Sequence, residues 1–280
     1  MTAARVAPLI VLSTLAAAVS AAPQSPTAKL DNSAKALAAR AAAYVADYQT
    51  KFAFLVAEET YKQTVWRRDQ LMKRRAMKGE LFLTFLRTDH EWIAVHDVAE
   101  VDGQPVPDRE NLQSLLQSAD AAAVGQRVAN RNAAFNIGTV SRNFNEPTLA
   151  LLVLEAKRIA HFKFDRRDFV NLGGVDVATL AFTEHDGPTI VRGSGPVYSK
   201  GELVIESATG RVRRTVITFR ETAVTATLTT EYGPEDRLGL WVPRTFTERY
   251  ELVERELQET TSCEATYANY RRFEVTGRIK

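Results

Sequence analysis

The chain has 280 residues, a formal net charge of +2, 45% hydrophobic and 25% charged residues, and one cysteine. The near balance of charge removes any global electrostatic case for nucleic acid, and the composition is that of a folded globular chain. Lone Cys263 excludes an internal disulfide and a cysteine metal cluster, and its alternation with Ala265 and Tyr267 reads as a buried thiol in a strand.

Residues 1–22 read as a signal peptide. Arg5 supplies the positive start, Val6 to Val19 an apolar stretch too short to span a membrane, and Val19-Ser20-Ala21 a small-residue cleavage site. With no cysteine at that junction to carry a lipid, the expectation is a periplasmic or secreted protein. Residues 23–32 read as a linker, and 33–280 as one domain, long for a single unit but acceptable for a β-rich one.

From Ser33 the apolar residues Leu37, Ala41, Tyr44, Val45, Tyr48 and Phe52 recur at three- and four-residue intervals, which predicts an amphipathic helix with Asp31, Asn32 or Ser33 as its cap. Phe54 to Trp66 reads as a strand and Gly79 to Leu86 as its hairpin partner. The intervening stretch holds Arg67, Arg68, Lys73, Arg74, Arg75 and Lys78, interleaved with Leu71, Met72 and Met77. Such a cationic, partly apolar tip is a candidate contact patch for an anionic membrane surface or an acidic envelope protein; the alternative is a solvated loop.

Glu91 to Glu100 reads as the next strand, turned at Asp102-Gly103. Residues 107–158 then read as a helical insertion. Pro107 and Asp108 open one helix with Leu112, Leu115 and Leu116 inward, a second runs through Val124 and Val128, 136–145 is a polar loop, and Leu149 to Leu154 is read as helix. Strands resume at Ala160 to Phe164 and Gly174 to Glu184.

The carboxy-terminal meander is the clearest part: Glu202 to Glu206, Arg211 to Phe219, Ala223 to Tyr232, Trp241 to Tyr250 and Cys263 to Phe273. In the third of these, Val224, Ala226 and Leu228 alternate with Thr225, Thr227 and Thr229, the two-residue period of a sheet with unlike faces. Gly210 suits a turn needing positive φ, and Pro243 points to an edge, a bulge or a strand start. About ten strands and four helices predict an α+β fold dominated by antiparallel sheet.

The run Gly201 to Arg214, followed by Thr230-Glu-Tyr and Gly239-Leu-Trp-Val-Pro, resembles the strand-turn-strand pattern of the lipoprotein-carrier superfamily, the LolA/LolB-like proteins. The resemblance covers roughly the last eighty residues well and the rest in outline. The chain is also similar to secreted bacterial proteins that share its Trp-Val-Pro and its Tyr267 to Phe273 ending, a likeness that carries no activity. The carrier resemblance implies a strongly curved sheet forming an open half-barrel with helices over its mouth. A pocket on such a face suits acyl chains, with Phe82, Trp92, Leu203, Ile205, Leu228 and Trp241 as candidate lining and Tyr44 and Tyr48 on a helical lid. The insertion at 107–158 departs from the simplest carrier pattern.

Catalytic signatures are not found. His90, His96, His161 and His185 show no metal spacing, and no P-loop, dinucleotide fingerprint or Gly-x-Ser-x-Gly elbow occurs; Ser194 lies in a Gly-Ser-Gly turn. The reading is a monomeric, non-enzymatic envelope protein, without metal or cofactor, that binds a lipid, a lipid-modified protein or another hydrophobic ligand. The alternative is a structural or sensor module that contacts envelope proteins and has no ligand cavity.

Overall fold

The computed structural model describes residues 30–52, 54–86, 90–107, 109, 128, 130–142, 146–193 and 195–272. The signal peptide, the helix expected around Leu112, Leu115 and Leu116, Val124 and Ser194 lie outside them. Among the described residues no helix is long and apolar enough to cross a membrane.

The amino-terminal helix forms where its period places it, as α1 (Ala34–Lys51). Ser33 caps it: its Oγ accepts from the Ala36 amide at 3.3 Å, supplying a partner to one of the free amides of the first turn. Leu37, Ala38, Ala41, Val45 and Tyr48 make the buried stripe.

The strands are β1 (Leu55–Arg67), β2 (Gln70–Leu86), β3 (Glu91–Val101), β4 (Gln104–Pro105), β5 (Phe162–Leu172), β6 (Val175–Glu184), β7 (Val191–Arg192), β8 (Pro196–Val197), β9 (Ser199–Glu206), β10 (Val212–Glu221), β11 (Val224–Glu235), β12 (Leu240–Glu254) and β13 (Leu257–Arg272). Eleven of them form one antiparallel sheet in the order β4-β3-β2-β1-β13-β12-β11-β10-β9-β6-β5, while β7 and β8 pair as a separate small hairpin. The edges, β4 and β5, are not joined, so the sheet is open. Within it the non-local pair β1–β13 joins strands from opposite ends of the sequence.

Two local outcomes differ from the periodicity reading, and a third, the helix at Leu149 to Leu154, takes the 3-10 form. The basic run is not a loop: the β1–β2 turn is only Arg68 and Asp69, both at positive φ, and β2 starts at Gln70. Arg74 and Lys78 stand on the face opposite to inward Met77 and Leu81, while Arg75 shares the inward phase and reaches the Phe135 carbonyl. β5 runs on to Leu172, because charged Asp165 to Asp168 are tolerated on an exposed edge strand. Leu149–Leu154 forms a 3-10 helix, all six residues buried. Pro243 sits opposite Tyr232 where the β11–β12 register shifts, so the missing donor falls at a bulge.

Almost the whole core lies on one face of the sheet, the inner face, across which α1 is laid. Gly210 holds the β9–β10 turn against the helix: a Cβ there would come within 2.3 Å of the Arg40 carbonyl oxygen. Near the helix start, Arg166 donates to the Asn32 carbonyl at 2.9 Å, and at its end Arg272 donates to that of Lys51 at 3.0 Å. The outer face carries a small separate cluster of Val56, Phe82, Val95 and Val128, beside an ion pair between Asp97 and Arg109.

Candidate functional site

Inward positions change character along the strands. Beneath α1 they are apolar, as in Leu55 and Ala57 of β1 and Leu203 and Ile205 of β9. Farther along, the strand pairing brings Gln63, Cys263 and Glu248 side by side on β1, β13 and β12. Strict alternation gives these three one face, so a polar row is built into the register.

Glu248, 1% exposed, organises that row. Tyr61 Oη donates to its Oε1 at 2.6 Å and Tyr250 Oη to its Oε2 at 2.5 Å. Burial raises its pKa above the ordinary carboxyl value, outweighing the two tyrosine hydrogen bonds and the nearby Arg142 charge, which act the other way. Burial likewise pushes the Tyr61 and Tyr250 hydroxyls well up, and lifts the Cys263 thiol to about 12. Cys263 is therefore a protonated core thiol, not a nucleophile.

Arg142 enters this interior from the segment between the helical turn at 130–133 and the 3-10 helix. Its Nη1 donates to the Ile137 carbonyl at 2.7 Å, its Nη2 to Gln63 Oε1 and Asn136 Oδ1, and its guanidinium lies 5.6 Å from the centre of the Tyr250 ring. Ile137 N also donates to Gln63 Oε1, and the Thr139 amide to Glu259. The polar loop of the sequence is thus pinned across the inner face.

Two cavities flank Arg142 and Tyr250. One, of about 160 Å³, is mixed in character, bordered by Glu59, His96, Asn132 and Arg142 and by Met77 and Val98. The other, of about 450 Å³, is bordered chiefly by Val140, Val197, Phe219, Val224, Ala226 and Leu252, with Tyr250 on its wall. Its cover includes the β7–β8 hairpin, flanked by Ile190 and Ser199, both of which donate amides to buried Glu184, at 3.0 and 2.8 Å.

The residues singled out by sequence fall elsewhere. Trp92, Leu203, Ile205, Leu228 and Tyr48 are packed in the core. Tyr44 is half-buried and stacks on Tyr48 at 5.7 Å, and half-buried Trp241 lies beneath Arg211 and Arg213. Phe82 points to the outer face. None of the eight borders the 450 Å³ cavity.

The basic residues divide. Arg67 pairs with Glu259 at 2.9 Å, Arg75 with Asp102 at 3.4 Å and the Phe135 carbonyl at 2.7 Å, and Lys78 with Glu100 at 3.6 Å. Arg68 donates to the Glu256 carbonyl at 2.8 Å, while Lys73 and Arg74 are exposed beside Leu71 and Met72.

The residues missed by sequence are Glu248, Tyr250, Gln63 and Arg142. Two signals existed: in the inward phases Phe246, Glu248, Tyr250 of β12 and Tyr61, Gln63, Val65 of β1, a polar residue occupies a core position. Arg142, in a segment without period, gave none. His96 Nδ1 lies 2.7 Å from Glu59 Oε2, and Asp97 faces the opposite way, as neighbours on a strand must. Among the described residues no group of three or more His, Cys, Asp or Glu is placed to hold a metal.

No family model and no curated sequence matches the chain. In fold it is similar to solved structures of the LolA superfamily and its neighbours. These include a domain described as an outer membrane lipoprotein-sorting protein from Vibrio parahaemolyticus, 15% identical over 84% of this chain and 92% of that one, TM-score 0.36. A DUF1329 family protein from Desulfovibrio piger is 11% identical over 89% and 96%, TM-score 0.42. A LolA superfamily protein from Nitrosomonas europaea is 10% identical over 86% and 94%, TM-score 0.31. At such identities and scores no residue and no activity passes from them to this chain.

Proposed function

We propose that this protein is a non-enzymatic binder of amphiphiles in the cell envelope, taking the apolar part of a lipid or lipid-modified chain into the 450 Å³ cavity. The observation that carries this reading is the cavity itself, walled by Val140, Val197, Phe219, Val224, Ala226 and Leu252. Its volume falls within the range of about 300–1,000 Å³ usual for small-molecule sites. Each methylene moved from water into such a wall contributes about 0.8 kcal/mol. The buried thiol and the carboxyl held between two tyrosines offer no activated nucleophile, which favours binding over turnover.

The test is native mass spectrometry, with lipid extraction, of protein purified from its own envelope. The expected result is a stoichiometric hydrophobic adduct that Val224→Trp, at a half-buried position on the cavity wall, removes while the β-sheet circular dichroism is unchanged. Protein that is reproducibly empty overturns the reading.

The β1–β2 turn favours a second contact. Leu71 and Met72 are 42% and 52% exposed, next to Lys73 and Arg74 and close to Arg68. We assign this tip to an anionic membrane surface, where each cation contributes about 1 kcal/mol at low salt. Reversing Arg68, Lys73 and Arg74 to Glu is expected to weaken sedimentation with phosphatidylglycerol vesicles by at least about a hundredfold. Undiminished sedimentation removes the tip from the reading.

A further inference from the structure

On the outer face the strand register sets a row of side chains across the sheet. The outward phase of β1 reads Thr60, Lys62, Thr64 and then Trp66. Trp66 stands opposite Thr260 of β13, Thr260 opposite Glu251 of β12, Glu251 opposite Thr225 of β11, and Thr225 opposite Arg220 of β10. Strand spacings of about 4.8 Å make this row roughly 19 Å long. All of its members border one depression of about 400 Å³, which Gln258 of β13 and Asp69 of the β1–β2 turn also border.

These groups are open to a ligand. Trp66, Thr225 and Thr260 are half-buried, and Glu251 and Arg220 are exposed. Among the described residues the Trp66 indole N–H makes no hydrogen bond and is not enclosed, and Arg220 makes no ion pair. Glu251 Oε1 takes two bonds from Arg249, at 3.1 and 2.9 Å, which leaves Oε2 to accept. Threonine is the ordinary residue of a solvated strand face, so the middle of the row needs no ligand. The open indole at one end and the unpaired cation at the other point to one.

The chemistry that fits such a row is that of a sugar chain. A pyranose turns an electropositive face of C–H bonds to the negative face of an indole, and its rim of hydroxyls both donates and accepts. Glu251 accepts from that rim, Thr225 and Thr260 exchange bonds with it, and the Arg220 fork calls for a carboxylate. The strand spacing is close to the rise of one pyranose in an extended glycan, so successive units meet successive strands. A lipid head group would meet one end of the row only. An extended peptide would need free backbone partners, which the face of a sheet, unlike its edge, does not offer.

We infer that this row is a binding site for an acidic glycan, with one pyranose stacked on Trp66 and a uronate carboxylate held at Arg220. It lies on the face opposite the apolar cavity and goes beyond the amphiphile reading without depending on it.

Three probes separate ring from charge. A hyaluronan tetrasaccharide carries both, chitotetraose carries rings without carboxylates, and tetraglutamate carries carboxylates without rings. In NMR titrations the hyaluronan fragment is expected to shift the Trp66 indole N–H and the amides of Ala223 and Thr260, which border the depression. Chitotetraose is expected to shift the same signals with about tenfold weaker affinity, the worth of one charged hydrogen bond, and tetraglutamate to leave the indole unmoved. Arg220→Gln is expected to bring hyaluronan down to the affinity of chitotetraose. Trp66→Ala is expected to weaken both saccharides by about tenfold, and Trp66→Phe, which keeps a ring, to weaken them less. Should Trp66→Ala unfold, Trp66→Phe and the exposed Arg220→Gln carry the test.

Absence of an indole shift with both saccharides, or tetraglutamate bound as tightly as hyaluronan, overturns the glycan site. Hyaluronan bound equally well by Arg220→Gln overturns its acidic end. Each of these results leaves the native mass spectrometry of the apolar cavity as it stands.

Discussion

The two ends of the inner face are built from the same strands and have opposite interiors. Under α1, Trp92 meets Phe52 edge to face at 5.2 Å and Tyr48 at 6.0 Å, and Leu203 and Ile205 are fully buried. Under the segment carrying Ile137 to Arg142, the same sheet holds Glu248, Gln63 and two cavities. A helix packs a face continuously because its stripe interdigitates with the sheet. A loop covers by hydrogen bonds to a few points, here Gln63 and Glu259, and leaves space between them. On the proposed reading, the difference puts stability at one end and binding at the other.

The sharpest way to break that comparison is at the packed end. Trp92→Ala is expected to lower the free energy of unfolding by about 3–5 kcal/mol, the cost of emptying a filled aromatic site, measured by urea denaturation. A loss under about 1 kcal/mol would make this end as loose as the other. Next comes the loop's anchor. Arg142→Met leaves Gln63, Asn136 and the Ile137 carbonyl short of a donor and is expected to cost about 2–4 kcal/mol, with faster amide exchange concentrated at Ile137 and Thr139.

Glu248 sharpens the contrast through pH. Its folded pKa lies above its unfolded one because burial disfavours the charge, so the native state holds the proton to higher pH than the unfolded chain. Its contribution is therefore fully present below the ordinary carboxyl pKa and is lost as pH rises from there through the folded pKa. Glu248→Gln cannot ionise. Its stability relative to wild type is expected to climb as pH goes from about 4 to 8, read from urea midpoints. A constant difference would mean that the carboxyl titrates normally.

The packed end was legible in the sequence and the other end was not, for physical reasons. α1 and the meander carry their periods in Leu37, Ala41, Val45 and in Val224, Ala226, Leu228, where one face is apolar and the other is not. The Leu81-Phe82-Leu83 run has no such contrast because both faces of β2 are covered there, so Phe82, a candidate for the concave face, lies on the outer one. Arg142 belongs to a loop, and a loop's partners depend on where the sheet stands in space. Glu248 breaks the inward phase of β12 as Gln63 and Glu59 break that of β1, and in a chain with 25% charged residues such breaks are easily taken for surface. Cavities are gaps between elements distant in sequence, and periodicity does not record them.

The smallest effect divides the two ends most directly. Ala226, 3% exposed, borders the 450 Å³ cavity, whereas Ala178 and Ala265 are fully buried in the packed core. In a filled interior an added side chain forces neighbours off their rotamers and costs about 1–3 kcal/mol, which is the expectation for Ala178→Leu and Ala265→Leu. In a cavity the same methylenes find room and replace water-accessible wall with contacts. Ala226→Leu is therefore expected to be neutral or to stabilise by about 0.5–1 kcal/mol, while weakening any acyl adduct seen by native mass spectrometry. Stability and occupancy move in opposite directions only if the space is both real and used. Equal destabilisation by all three substitutions would show that Ala226 stands in packed core, and the binding end would lose its distinction.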